Sequence, residues 1–186
     1  LDDIGTRKFK TRLISSDLTD ISNPRLIIES VQLLVNNPEA THSDFSKTSR
    51  DFSRSKAFSR KLGLIEGDEP TNKARALLQL GSKSGRYGYL ATLFEKSNLG
   101  IALIEWTGME RITNSTSLLI RQFLEYRLPQ MKDGTRKQYS WAIAKLISNI
   151  APHHPDNRFN EISHEEIEEG LEIVREPHFE NRIIDS

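Results

Sequence analysis

The chain has 186 residues, 36% hydrophobic and 28% charged, with 26 basic residues against 26 acidic ones. That is enough for one sizeable domain or two small ones packed together, with no apolar run long enough to cross a bilayer and no signal-peptide pattern at Leu1-Asp2-Asp3-Ile4. The absence of cysteine excludes disulfides, thiolate zinc sites and cysteine nucleophiles and fits a cytoplasmic protein; the first residue is not Met, as expected of a piece of a longer or processed chain.

Up to Asn23 there is little periodicity, and this stretch reads as an arm wrapping the domain. Asn23-Pro24 then places proline at the first position of a helix whose apolar stripe is Leu26, Ile27, Val31, Leu34 and Val35, ending near Asn36-Asn37-Pro38. Thr41 or Ser43 can cap a short helix through Phe45. A polar break at residues 49–51 leads into Phe52, Ala57, Phe58 and Leu62 at helical spacing. Gly63 offers a positive φ for leaving that helix, Leu64 and Ile65 begin a strand, and residues 66–70 form a turn. Thr71 either pairs as a second strand or caps a helix from Asn72 to Leu80.

Gly81 to Gly88 reads as a linker rich in Gly and Ser. Tyr89 to Phe94 and Leu99 to Trp106 supply apolar helix or buried strand, and Ser115 or Thr116 opens a helix carrying Leu118, Leu119, Phe123, Leu124 and Leu128. After a turn at Asp133-Gly134-Thr135, a helix to Ile150 carries Tyr139, Trp141, Ile143, Leu146 and Ile147, with Arg136, Lys137 and Lys145 outward. His153-His154 reads as a surface loop. An acidic helix capped by Ser163 then turns Ile162, Ile167, Leu171 and Val174 to one side, either docking on the domain or holding a protein partner. The expected fold is mainly α: an arm (1–23), a winged helix-turn-helix module (24–82), a second helical, helix-turn-helix-like module (83–152) and an acidic C-terminal segment (153–186).

A neutral total hides a basic front and an acidic tail. Between Asp44 and Lys61 the bases are Lys47, Arg50, Arg54, Lys56, Arg60 and Lys61 against Asp44 and Asp51 alone, whereas eight glutamates lie between Glu161 and Glu180. Cations along one face of a helix neutralise phosphates and release counterions, and an arginine can pair with guanine through two hydrogen bonds. Ser49, Ser53, Ser55 and Ser59 can add neutral contacts to the DNA backbone. The blander reading is a charged helix face that serves solubility. In the second module Arg136 and Lys137 suggest another groove contact, or simply a polar first turn, and Tyr139 and Trp141 read as core aromatics.

No phosphate-binding loop, nucleophile elbow or dinucleotide fingerprint occurs, and the adjacent histidines lack a second ligand pair, so no catalysis, metal or cofactor is expected. Phe58, Leu62-Gly63-Leu64-Ile65, Thr71, Ala74 and Leu77 resemble the helix-to-wing signature of small winged helix-turn-helix domains. These include the DNA-reading modules attached to prokaryotic restriction and other defence nucleases. The resemblance covers residues 24–80 and implies that the outward side of the helix Asp51 to Lys61 reads DNA. The expected function is recognition of double-stranded DNA without catalysis, within a larger restriction, defence or regulatory protein. The rivals are a winged-helix adaptor between proteins and a nuclease whose catalytic half lies elsewhere.

Overall fold

Helix boundaries along this chain follow from side chains that can accept the orphan backbone N–H groups of a first turn. In the computed structural model, which describes residues 10–156, Asn23 accepts from the Arg25 N–H at 3.0 Å and Pro24 fills the first position, giving α1 (Pro24–Asn36). Thr48 accepts from Asp51 and starts α2 (Ser49–Lys61). Between α1 and α2 the expected short helix is a single 3-10 turn, His42–Asp44.

Gly63 has φ 77° and carries the chain out of α2. A hairpin follows, β1 (Ile65–Glu66) antiparallel to β2 (Glu69–Pro70), with Gly67 and Asp68 as its turn. The second strand is therefore made by Glu69 and Pro70, inside the expected turn. Thr71 follows it, its hydroxyl donating back to the Gly63 carbonyl at 2.7 Å, and α3 (Asn72–Gln79) begins.

The expected linker at 81–88 is instead the start of α4 (Lys83–Lys96), with Ser82 as its cap. Gly88 serves packing there, since a Cβ at this position would overlap the His153 carbonyl. Ser97 caps α5 (Asn98–Thr107), Thr116 caps α6 (Ser117–Arg127), and α7 runs over Asp133–Ile150. Asp133, Gly134 and Thr135 are thus the first turn of α7 rather than a separate turn.

Buried side chains form one cluster from Leu13 to Ala151. Leu13, Leu18 and Ile21 pin the arm into it, and Phe58 of α2 meets Phe94 of α4 edge-on at 6.2 Å, joining the two sequence halves. Two expectations about exposure are corrected. Trp141 is 54% exposed rather than core, because α7 turns Arg136, Ser140, Ile143 and Ile147 inward and leaves the opposite side to water. His154 is buried rather than on a surface loop: its Nε2 lies 2.9 Å from Glu95, whose other oxygen accepts the Ile112 N–H at 2.9 Å. No helix among the described residues is long and apolar enough to cross a membrane. The first residues of the arm and the acidic helix at 162–174 lie outside the described residues.

Candidate nucleic-acid interface

α2 buries Phe52, Ser55, Phe58 and Ser59 along one stripe, with Leu62 continuing it past the last turn. Ser55 and Ser59 are fully enclosed, so they offer nothing to a partner, contrary to their expected role in backbone contacts. Ser49, Arg50, Ser53, Ala57, Arg60 and Lys61 are exposed, while Arg54 and Lys56 are half-buried. At 3.6 residues per turn, Ser53 and Ala57 form the centre of the outward ridge. Arg50, Arg54 and Lys61 flank it on one side, Lys56 and Arg60 on the other.

Most of these cations have acidic partners. Arg54 pairs with Asp20, and Lys61 reaches Asp17 at 3.3 Å; both acids belong to the arm. Asp17 is 3% exposed and also accepts the Ile14 N–H at 2.9 Å, so its pair with Lys61 anchors the arm to α2. On the other flank Lys56 and Arg60 converge on Asp68 at 3.3 and 2.8 Å, and the Arg60 Nε donates to the Gly67 carbonyl at 2.6 Å. Lys56 also lies 5.2 Å from the centre of the Phe52 ring. Lys47 and Arg50 form no ion pair with a described residue.

These contacts set opposite electrostatics at two acids. Burial pushes the Asp20 carboxyl above its ordinary value, with Arg50 pulling the other way. Lys56 first, then Arg60, holds the exposed Asp68 carboxyl below the usual range. Burial first, then Asp20, raises the Tyr139 hydroxyl on α7 above its ordinary value, with Arg50 pulling the other way.

Arg136 is not an outward residue and is withdrawn as a DNA contact. Its side chain is buried and donates to the carbonyls of Leu128, Pro129 and Met131 at 3.4, 3.4 and 2.9 Å. One terminal nitrogen of the guanidinium makes all three contacts and ties down the turn that joins α6 to α7. Lys137 is exposed, on a different helix from the α2 ridge.

Asp17, Asp20 and Asp68 were not singled out in the sequence. For Asp68 a signal existed: a two-residue turn between strands returns its side chain toward the last turns of α2. The arm acids had none, because an aperiodic segment does not reveal what it lies against. A cleft of about 610 Å³ opens between α1 and α4, but its Glu29 and Arg86 are already bonded to Ser46 and to the α3 carbonyls. No group of metal-ligating side chains is found among the described residues. Comparison with protein-family models, with curated proteins and with solved structures finds no match.

Proposed function

We propose that the chain binds double-stranded DNA without catalysis, with α2 as the helix that enters the major groove and the β1–β2 hairpin as a minimal wing. The observation that carries this reading is the cross-section of α2: a narrow outward ridge of Ser53 and Ala57 between two rows of cations. A helix about 10–12 Å across fits a groove about 12 Å wide. Its small residues would then face the base edges, and its flanks the two phosphate walls. Lys47 and Arg50 are free to engage phosphate or guanine from the start. Lys56 and Arg60 would exchange Asp68 for phosphate, at little cost because exposed ion pairs contribute only about 0–1 kcal/mol. Arg54 and Lys61 stay with the arm and fix the orientation of the helix.

The test is Ala57→Phe, which adds bulk at the middle of the ridge and changes neither charge nor core. The reading expects binding to mixed-sequence duplex to weaken by about tenfold or more, a loss typical of a contact displaced from a groove, with unfolding temperature unchanged. Unaltered duplex binding in that variant overturns it. Membership of a restriction or defence system is part of the same proposal, resting on the helix-to-wing resemblance alone.

A further inference from the structure

The outward side of α7 is basic in a different way from α2: among the described residues its lysines have no acidic partner. The single acid of α7, Asp133, is held by Arg121 at 2.8 Å and by Arg136 at 3.7 Å. Lys132, Lys137 and Lys145 are exposed and form no ion pair with a described residue. Midway between the last two stands Trp141, one helical turn from each and therefore on the same face. It is 54% exposed, with the Lys145 Nζ 4.8 Å from its ring centre. The other tryptophan, Trp106, is 7% exposed and packs on Phe123 at 5.8 Å and Tyr126 at 5.5 Å.

We propose that this face binds single-stranded nucleic acid, an unpaired base stacking on the indole of Trp141 while Lys137 and Lys145 take the phosphates on either side. The helical rise puts these lysines roughly 12 Å apart along the axis. Stacking needs the face of a base, and a duplex presents only edges in its grooves, so a tryptophan on a convex helix selects the unpaired form. Two lysines with no acidic partner among the described residues supply the sequence-independent attraction. Carboxylates of an acidic protein segment would satisfy the lysines too, but they offer no flat π surface to the indole. The proposal does not depend on the α2 reading, because the residues and the form of the ligand differ.

The experiment is a titration of fluorescein-labelled oligothymidine of about 15 nucleotides with the 186-residue chain at low salt, read by the anisotropy of the label, with tryptophan fluorescence followed in the wild type. Wild type is expected to quench, Trp141→Ala to bind about tenfold or more weakly, and Trp141→Phe to keep most of the affinity through its remaining ring. Lys137→Ala with Lys145→Ala is expected to lower the salt slope by about 1.4, the contribution of two phosphates on a single strand. Thermal unfolding of each variant checks the fold, which an exposed side chain should leave unchanged. The proposal is overturned by a chain that fails to bind the oligonucleotide or by a Trp141→Ala variant that binds as wild type. It is equally overturned if duplex of the same length or polyglutamate quenches Trp141 as strongly.

Discussion

Arg60, on the last turn of α2, and Asp68, at the tip of the hairpin, meet at 2.8 Å across the short loop that joins their elements. The contact fixes the hairpin against the helix and at the same time occupies a cation that phosphate would otherwise take. Lys56 shares the same carboxylate at 3.3 Å. One exposed acid therefore engages both cations on one flank of the proposed reading helix.

Replacing Asp68 with Asn should release both cations while the Arg60 bond to the Gly67 carbonyl keeps the turn in place. We expect duplex binding to tighten by about two- to fivefold at low salt, the worth of an exposed ion pair, and the gain to shrink as salt is added. Parallel fluorescence-anisotropy titrations of wild type and variant measure it. Equal or weaker binding by Asp68→Asn would mean that phosphate does not compete for Lys56 and Arg60.

Asp20 supplies a pH dependence of definite sign. Burial raises its carboxyl, whereas Lys56 and Arg60 depress that of Asp68, so on acidification from neutral Asp20 takes up its proton first. Arg54 then loses its partner and becomes available to phosphate. Folding follows the same sign at Asp20: a carboxyl raised above its unfolded value binds its proton more tightly in the folded state, so its contribution to stability grows as pH falls through the raised value. Duplex affinity is expected to rise by about two- to fivefold over that interval. Asp20→Asn should show the higher affinity already at neutral pH, with a flatter profile. Identical profiles for the two proteins would mean that Arg54, even when released from Asp20, adds nothing to duplex binding.

Arg136 is expected to govern stability rather than binding. Arg136→Ala strips donors from three carbonyls in the α6–α7 turn and should cost about 2–4 kcal/mol in urea unfolding, as for other buried charged hydrogen-bond groups. Its DNA affinity, corrected for the folded fraction, should match wild type. A stable variant with impaired binding would return Arg136 to the interface.

The contrast between Arg136 and Trp141 shows where sequence reading reaches its limit. α1, α2, α6 and α7 were legible because caps such as Asn23-Pro24 and Thr116, together with apolar spacing, act within a few residues. The hairpin announced itself through Gly63 and the polar turn, although Pro70 looked like a turn residue until it paired with Ile65. Gly85 and Gly88 hid the start of α4, since a glycine that admits a neighbouring carbonyl looks the same in sequence as one in a linker. Which side of α7 faces inward depended on the α6–α7 turn, whose carbonyls draw in an arginine and leave a tryptophan in water. At the candidate site the cations were visible along the helix. Their acidic partners, Asp17 and Asp20, arrive from a segment 44 residues away in the case of Lys61 and Asp17, a pairing that no local pattern encodes.

If the N-terminal end of α2 contacts duplex phosphate, the salt dependence of duplex binding must differ between wild type and Lys47→Ala with Arg50→Ala. These two cations are exposed and form no ion pair with a described residue, Arg50 acting on Asp20 only at longer range, so their removal leaves the ion pairs of α2 with Asp17, Asp20 and Asp68 intact. Wild type should lose affinity steeply as salt rises, and the double variant should bind more weakly with a slope lower by about 1.8, the contribution of two phosphates on B-DNA. A slope that stays the same in the double variant, or duplex binding that never exceeds background at low salt, contradicts the account.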